Sequence, residues 1–353
     1  MALFNAELTQ TEFIAEYWRK KPCVFIGAIE RLPVIEINQL LTLAADPLAE
    51  SRLITDDYSL HLGPFDAQDE GLLMINGLDQ HLLELEQLLQ QDFGFLPRWR
   101  IDDVMASTGA IGASTGAHFD HYDVFLVQLS GSKTWQIDDQ HHVEADLDSS
   151  RDIRLLKEFT PTTTRHLDPG DVLYLPPGIG HFGVNTSSGI TLSIGVRNPT
   201  MIELFSDLSD FVMDQVDITQ MLDDTIQNAS NGITLDDTAN IQQKITSILN
   251  NNQLLADWYG TYSTRLRDPD LVQASDTLKN NISLHPAARL TWYANDTALR
   301  IYANGSLIVT TQDVLAWLKP LTKDRHYQFS EQSVEDHSVL AQMAELGLLR
   351  YDQ

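Results

Sequence analysis

Cysteine is almost absent from this chain. Its 353 residues contain one, Cys23, so neither a disulfide framework nor a metal cluster held by several thiolates can be built from it. A lone cysteine fits a protein that works in a reducing compartment. A chain of this length can bury a sizeable core without cross-links, and at roughly 150 residues per domain its length predicts two or three domains.

Positive charge is also scarce. Lys and Arg number 23 against 50 Asp and Glu, which gives a formal net charge of −27. Proteins bind DNA and RNA through clustered Lys and Arg, so this balance disfavours direct nucleic-acid binding and favours a basic partner. The alternative is that the acidic excess is solvated surface charge that keeps the protein soluble.

Long apolar segments are missing as well. No apolar run approaches the about 18 residues of a membrane-spanning helix. Residues 1–15 lack the basic start and the apolar core of a signal peptide. We therefore expect a soluble cytoplasmic protein that does not interact with membranes.

The spacing of apolar residues divides the chain into three regions. Residues 1–200 begin with helical patterns and continue, from residue 99, as short alternating runs broken by Gly and Pro, which predict an antiparallel sandwich or barrel. Residues 201–270 return to helical spacing, either as a dimerisation element or as a cover for the sheet. Residues 271–353 combine helices with a hairpin and suggest a small winged-helix-like domain.

Individual elements can be predicted within these regions. Thr9 and Glu12 are spaced as a capping box at the start of a helix, and Asn304-Gly305 between alternating runs is a strong hairpin signal. The predicted helices are 8–18, 81–91, 312–318 and 333–346. The clearest predicted strands are 101–106, 119–129, 134–138, 171–175 and 190–196.

Three residues in the β region have the pattern of a metal site. His118 and Asp120 are two positions apart, so on a strand they project from the same face. The turn residues Pro176-Pro177-Gly178 then precede His181 at the start of another strand, where a barrel would let the three side chains converge. Two histidines and one carboxylate form the facial triad that holds iron and leaves adjacent positions open for a cosubstrate and oxygen.

Four other histidines of the β region offer alternatives to this triad. His121 has the opposite strand parity to His118, and the remaining three lie in polar stretches where we expect them to be solvated. These three are His141, His142 and His166. A lone His-x-Asp pair is weak evidence, and its simplest interpretation is a hydrogen-bonded surface pair.

Lys133 is the second indication of chemistry. On a strand over 134–138 it shares a face with Trp135 and Ile137, so it would point into an apolar interior. Burying an unpaired ammonium is costly, and such a lysine needs an anion. A dicarboxylate such as 2-oxoglutarate would meet this need, with one end on the metal and the other on Lys133, helped by Thr191 or Ser193. The alternative is that Lys133 extends to solvent from the strand end.

The motifs of the first 200 residues resemble those of the JmjC-type ribosomal oxygenases, which are also described as cupin-like proteins. The resemblance extends through most of residues 1–200. The motifs that carry it are Tyr17-Trp18-Arg19-Lys20-Lys21-Pro22 with Phe13, residues 99–105, His118-Phe119-Asp120-His121-Tyr122-Asp123-Val124-Phe125, Gly131-Ser132-Lys133-Thr134-Trp135, and the run from Asp168-Pro169-Gly170-Asp171 to His181.

This resemblance implies both a fold and an activity. The fold is a mainly β protein with α-helices: a double-stranded β-helix (jelly-roll) catalytic domain, a helical dimerisation segment and a winged-helix-like C-terminal domain. The activity is hydroxylation of a ribosomal protein, at C3 of an arginine in the sixteenth large-subunit protein, by Fe(II) and 2-oxoglutarate. His118, Asp120 and His181 would bind iron, and Lys133 would bind the C5 carboxylate of 2-oxoglutarate.

Two other functions remain open at this point. The same fold could hydroxylate histidine or demethylate another protein. A different class altogether is a metal-binding cupin that acts as a sensor or scaffold without turnover. The resemblance also implies a homodimer formed through the helical segment.

Overall fold

A computed structural model describes residues 3–4, 8–47, 49–66, 70–150, 152–196, 199–215, 232–275, 279–296, 298–329 and 337–350. The chain forms two compact units, 1–198 and 199–353. The predicted division of the second region from the third, at residue 271, falls inside the second unit. Within the described residues, no helix combines the length and the apolar character needed to cross a membrane.

The first unit is a β-sandwich with helices before and between its first strands. Its helices are α1 Gln10–Glu16, α2 Ile37–Ala44, α3 Leu78–His81 and α4 Glu84–Gln91. Its strands are β1 Cys23–Phe25, β2 Ser51–Ile54, β3 Leu60–Leu62, β4 Leu72–Ile75, β5 Ile101–Gly109, β6 Asp123–Ser130, β7 Lys133–His141, β8 Thr163–Leu167, β9 Val172–Leu175, β10 Ile179–Asn185 and β11 Gly189–Val196.

These strands form two antiparallel sheets. The major sheet has the order β1-β9-β6-β11-β5-β4-β2-β3, and the minor sheet has the order β10-β7-β8. Side chains alternate between the faces of each strand. In β6, Val124 and Leu126 pack with Trp135 and Ile137 of the minor sheet, while Phe125 packs with the helices. Both faces of the major sheet are therefore covered by apolar side chains.

A cluster of buried apolar side chains from the helices and the major sheet holds the N-terminal segment on the sheet. Phe13 of α1 is fully buried, and its ring meets Tyr174 of β9 at a centroid distance of 4.9 Å. The predicted capping box is present, because Thr9 Oγ1 accepts a hydrogen bond from the amide of Glu12 and the Glu12 carboxylate accepts one from the Thr9 amide. Thr9 lies immediately before the first residue of α1, and Glu12 lies in the first turn of the helix.

The second unit combines helices with two small sheets, β13-β14-β15 and β16-β12-β17. Its helices are α5 Met201–Gln215, α6 Leu235–Leu249, α7 Asn252–Thr264, α8 Leu315–Asp324 and α9 His337–Glu345. Its strands are β12 Asn281–Leu284, β13 Leu290–Ala294, β14 Leu299–Ala303, β15 Ser306–Thr310, β16 His326–Gln328 and β17 Leu349–Arg350.

Sequence signals in this unit match the structure where it is described. The hairpin between β14 and β15 turns at Asn304 and Gly305, which have φ values of 47° and 82°, as the Asn-Gly pair predicted. Helix α7 packs on this hairpin, where Asp257 binds Arg300 and accepts a hydrogen bond of 2.9 Å from the Tyr302 hydroxyl. The first residues of the predicted helix 333–346, and residues 216–231 of the predicted helical segment, lie outside the described residues.

Candidate metal and cosubstrate site

Three metal-ligating side chains meet on the inner side of the sandwich. One ligand atom of each of His118, Asp120 and His181 lies within 4.8 Å of the others. In the described part of the chain this is the one such group of three or more. The Asp120 carboxylate lies 3.6 Å from His181 Nε2, and the two imidazole rings are 4.3 Å apart.

The backbone brings the two histidines together in a way the sequence did not predict. The predicted strand 119–129 begins at Asp123 instead, so His118 and Asp120 precede it. His118 forms an isolated antiparallel bridge with His181 of β10, with reciprocal N–H···O distances of 3.0 and 2.8 Å. The two ligands are therefore held opposite each other by their own main chains.

Asp120 is placed by the turn that ends β9. The amide of Gly178 donates a hydrogen bond of 2.8 Å to the Asp120 carbonyl oxygen. Gly178 has a φ of +79°, and a Cβ at this position would lie 2.5 Å from the His141 ring. Glycine is required here because any side chain would be strained and would overlap His141. The Pro176-Pro177-Gly178 motif thus fixes the backbone of one ligand.

Hydrogen bonds also orient both imidazoles toward the common centre. Nδ1 of His118 lies 2.9 Å from the Gly116 carbonyl oxygen, and Nδ1 of His181 lies 2.9 Å from the Ile179 carbonyl oxygen. A carbonyl only accepts, so each Nδ1 carries the proton and each Nε2 keeps a lone pair. This arrangement leaves Nε2 of both rings available to coordinate a metal.

The protonation of His181 suits a ligand. Its side chain is almost completely buried, and burial, followed by the nearby His118, lowers the pKa of His181 to about 4. The ring is therefore neutral at pH 7, as metal binding requires. Two neutral nitrogens and one carboxylate oxygen form a donor set that fits Fe(II) and related divalent ions.

Lys133 lies in the same cavity, at the start of β7. It is 2 % exposed, and its Nζ lies 4.9 Å from the centre of the Trp135 ring. Burial lowers the pKa of Lys133 to about 8. The alternation in β7 buries Lys133, Trp135 and Ile137 and leaves Thr134 and Gln136 half-buried. The predicted inward direction of Lys133 is thus the observed one, and the side chain does not extend to solvent.

Two hydroxyls were expected beside Lys133, and the structure separates them. Ser193 of β11 lines the cavity. Thr191, two residues earlier, donates a hydrogen bond of 3.0 Å to Gln128 Oε1 of β6 and does not line the cavity. Among the described residues, Ser193 is therefore the better placed of the two for contact with a cosubstrate.

The other histidines lie apart from the triad. His121 Nε2 is 2.8 Å from Glu144 Oε1 at the exposed rim of the cavity. His142 was expected to be solvated, but it is buried and pairs with Asp138 at 3.2 Å. His166 lies 3.1 Å from the Thr134 hydroxyl. His141 packs beside Gly178. None of the four joins the group of ligands formed by the described residues.

The cavity extends beyond the residues that sequence reasoning identified. It has a volume of roughly 360 Å³ and includes a wall of residues from β2, β3 and β4. These residues are Arg52, Ile54, Leu60 and Met74. Tyr122 also lines the cavity and is 42 % exposed. The charge of Asp120, followed by burial, raises the pKa of Tyr122, so the phenol keeps its proton. The short strands β2–β4 carry no motif that would have predicted their position.

Comparisons with known proteins agree with this geometry. Residues 88–204 match the JmjC domain. The chain is 31% identical over 214 residues to a probable ribosomal oxygenase of Haemophilus influenzae, which covers 57% of this chain and 53% of that protein. It is 29% identical over 219 residues to the ribosomal protein uL16 3-hydroxylase of Escherichia coli, covering 60% and 58%. The matched segments thus span little more than half of these relatives.

Solved structures extend the likeness to the whole fold. The structure of YcfD, a ribosomal oxygenase from Escherichia coli, has a TM-score of 0.83 at 23% identity and covers 98% of both chains. The same enzyme in complex with cobalt and 2-oxoglutarate has a TM-score of 0.82 at 22% identity, over 98% of this chain and 99% of that one. The predicted mainly β fold with helices is thereby confirmed. Residues 88–204 thus match the JmjC domain family, and the chain has the same fold as YcfD.

Proposed function

We propose that this protein is an Fe(II)- and 2-oxoglutarate-dependent dioxygenase that hydroxylates a side chain of a ribosomal protein. One observation carries the proposal: His118, Asp120, His181 and the buried cation Lys133 line a single cavity. The target we propose is C3 of an arginine in uL16, the sixteenth protein of the large subunit, because a relative is named ribosomal protein uL16 3-hydroxylase and the family resemblance implies an arginine.

The donor set supports iron as the metal. His118 and His181 would each offer Nε2, since their Nδ1 protons are held by main-chain carbonyls. Asp120 would offer a carboxylate oxygen. When Fe(II) is bound, it supplies activation of O₂ that is coupled to decarboxylation of 2-oxoglutarate and to transfer of one oxygen atom to the substrate.

Lys133 supports a dicarboxylate as the cosubstrate. It lies in the cavity that holds the triad and has no ion-pair partner among the described residues, so a distal carboxylate would supply the missing negative charge. Ser193 would add a hydroxyl contact to the cosubstrate. Trp135 would shield the distal carboxylate from water, because its ring lies against Lys133 and His181. Thr191 would act indirectly, by holding Gln128 of the adjacent strand.

The charge of the chain supports a basic substrate. A net charge of −27 attracts a cationic ribosomal protein and speeds the encounter more than it strengthens the final complex. Such a substrate is consistent with a cytoplasmic protein that has no membrane or direct nucleic-acid partner.

A homodimer is part of the proposal. Helix α5 exposes the apolar side chains of Met201, Ile202, Phe205 and Met213, and α6 exposes Ile241 and Ile245. Helices with such apolar stripes are stabilised when another surface covers them. A second copy of the chain is the occupant expected from the family resemblance.

Mass spectrometry of uL16 tests the reaction. The purified protein, supplied with Fe(II), 2-oxoglutarate and oxygen, should add one oxygen atom to an arginine of uL16 and release succinate in equal amount. A matched Asp120→Ala protein should do neither. Oxygen on a histidine or loss of a methyl group would indicate another target chemistry, and absence of succinate with the metal bound would favour a non-catalytic scaffold.

A further inference from the structure

Arg52 is an unusual residue in this cavity. The chain has more than two acidic residues for each basic one, yet Arg52 forms no ion pair with any described residue. Its Nη2 lies 3.1 Å from the amide oxygen of Asn76 and 3.5 Å from the sulfur of Met105. Its Nε is shielded from solvent and has no hydrogen-bond partner among the described residues.

An N–H group that is buried without an acceptor is unfavourable. It forfeits its hydrogen bond to water and gains nothing in return. Nε is shielded from the cavity as well, but Nη1 of Arg52 is neither shielded nor hydrogen-bonded within the described residues. The half-buried guanidinium therefore offers Nη1 to an oxygen acceptor from outside the described chain. Because Arg52 lines the cavity of the metal triad, the acceptor would belong to a molecule that enters this cavity.

The surroundings of Arg52 restrict what this molecule is. Ile54, Leu60 and Met74 form an apolar wall beside Arg52. We call Arg52 and these three residues the β2–β4 subsite. All four precede the JmjC match, which begins at residue 88. Lys133 is on β7, in the other sheet of the sandwich. The subsite is thus a part of the cavity distinct from the lysine that we assign to the cosubstrate.

We propose that the β2–β4 subsite binds the substrate residue next to the one that is modified. Its apolar side chain packs on Ile54, Leu60 and Met74, and Arg52 donates a hydrogen bond to an oxygen of the peptide. Nη2 already contacts the amide oxygen of Asn76 and the sulfur of Met105, so a carboxylate bound in bidentate fashion through Nη2 would compete with these contacts. A single main-chain carbonyl oxygen fits the remaining donors. This inference rests on the proposed function, because it takes a peptide as the substrate.

Binding of labelled uL16 to the cobalt-loaded protein tests the subsite without the need for turnover. Cobalt and 2-oxoglutarate should be present and oxygen absent, and the dissociation constant should be read from fluorescence anisotropy. Arg52→Ala should weaken binding about tenfold or more, as expected for loss of a charge-assisted hydrogen bond. Arg52→Lys should recover part of the loss, and the affinity for 2-oxoglutarate should stay the same in both variants.

Arg154→Ala is the matched control. Arg154 also lines the cavity, but it is paired with Glu144 at 2.9 Å and is largely exposed, so its removal takes away the same charge without touching the subsite. Equal weakening by Arg154→Ala and Arg52→Ala would overturn the proposal, because general electrostatics would then explain both. Wild-type binding no tighter than that of Arg52→Ala would overturn it as well.

The acceptor oxygen could belong to a main-chain carbonyl or to a side-chain carboxylate of the substrate. Peptides that each contain one arginine of uL16 distinguish these two sources. If acidic side chains in the peptide are changed to amides and Arg52-dependent binding persists, the acceptor is a main-chain carbonyl, as we propose. If that dependence disappears, the acceptor is a side-chain carboxylate and the proposed carbonyl contact is wrong. If binding depends on Arg52 but the bound peptide is not hydroxylated, the proposed subsite is supported and only the proposed reaction is refuted.

Discussion

The His118–His181 pair shows how much of the site is decided by single residues. Each ring donates Nδ1–H to the carbonyl two residues before it, Gly116 or Ile179. The carbonyl of His118 accepts from the amide of His181, and the reverse bond is also formed. Both rings are therefore oriented before a metal arrives, and little reorganisation is needed to bind one.

Replacement of Asp120 or His181 by Ala should abolish hydroxylation. Each change removes one of three ligands, and the remaining two cannot hold the metal in the same geometry. Metal affinity should fall by more than the roughly tenfold to hundredfold that accompanies loss of an outer contact. His166→Ala is the control, since that histidine pairs with Thr134 away from the triad. Calorimetric metal titration decides the matter, and unchanged affinity in either ligand variant would remove that residue from the site.

Lys133 permits a second prediction at the same scale. Lys133→Ala should raise the KM for 2-oxoglutarate about tenfold or more, because a charge-assisted contact is lost. Lys133→Arg keeps the charge and should retain much of the affinity, although the larger group must fit beside Trp135. Steady-state succinate release measures both. A KM in Lys133→Ala equal to that of the wild type would separate this lysine from the cosubstrate.

The protonation of Lys133 adds a pH dependence. Burial lowers the pKa of Lys133 to about 8 in the absence of an anion. The ammonium is therefore present below this pH and is lost as the pH rises through it, so the KM for 2-oxoglutarate should increase above about pH 8. Bound 2-oxoglutarate should move the change to higher pH. In Lys133→Arg the increase should be absent, because guanidinium does not titrate in this range. A flat profile in the wild type would contradict this account.

At the scale of elements, the stability of helix α1 depends on the residue that precedes it, Thr9. Thr9 caps the helix and Glu12 closes the capping box. Thr9→Ala should cost about 1 kcal/mol of local stability, which corresponds to about fivefold faster amide exchange in α1. Thr9→Ser keeps the hydroxyl and should exchange almost as slowly as the wild type. Hydrogen–deuterium exchange measured on peptides from α1 gives the comparison, and equal rates in Thr9→Ala and Thr9→Ser would show that the cap is not needed.

The elements that could be predicted from the sequence are those with a complete local signal. Alternation predicted β5, β7, β9 and β11, and Asn304-Gly305 predicted the hairpin of the second unit. Strands β1 to β4 have only three or four residues each, too few for a period to appear. β1 pairs with β9, which is distant in sequence, and β2 and β3 join the sheet only through the pairing of β4 with β5. A local pattern does not contain these contacts.

The site was predictable for a similar reason and to a similar extent. His118, Asp120, His181 and Lys133 belong to motifs with defined spacing, and the structure places all four in one cavity. His118 and Asp120 were expected on a strand, but this strand starts only at Asp123. The residues before it are in a loop, where the Gly178 amide is hydrogen-bonded to the Asp120 carbonyl oxygen. Arg52 was not identified, since its significance comes from the lack of an ion-pair partner among the described residues, which only the packing reveals.

At the scale of the whole molecule, the charge balance predicts how the substrate arrives. If the proposed substrate uL16 is a basic protein, a net charge of −27 should accelerate its association, and salt should screen this attraction over about 8–10 Å at 0.1–0.15 M. Raising the ionic strength from about 0.05 to 0.5 M should reduce the association rate by about tenfold or more. Stopped-flow fluorescence measures this rate. The KM for 2-oxoglutarate, bound in a buried site, should respond much less, and an association rate independent of salt would show that the acidic surface serves only solubility.

The strand order of the first unit has a consequence for biosynthesis. Strand β11 lies between β6 and β5, so it alone joins the half β1-β9-β6 to the half β5-β4-β2-β3. It is also the last of these strands in the chain, ending at Val196. During translation the two halves each present an unpaired edge until this strand leaves the ribosome. The nascent protein therefore passes through an interval in which it is open to mispairing, and a stalled chain that ends before residue 189 would be a natural client for chaperones.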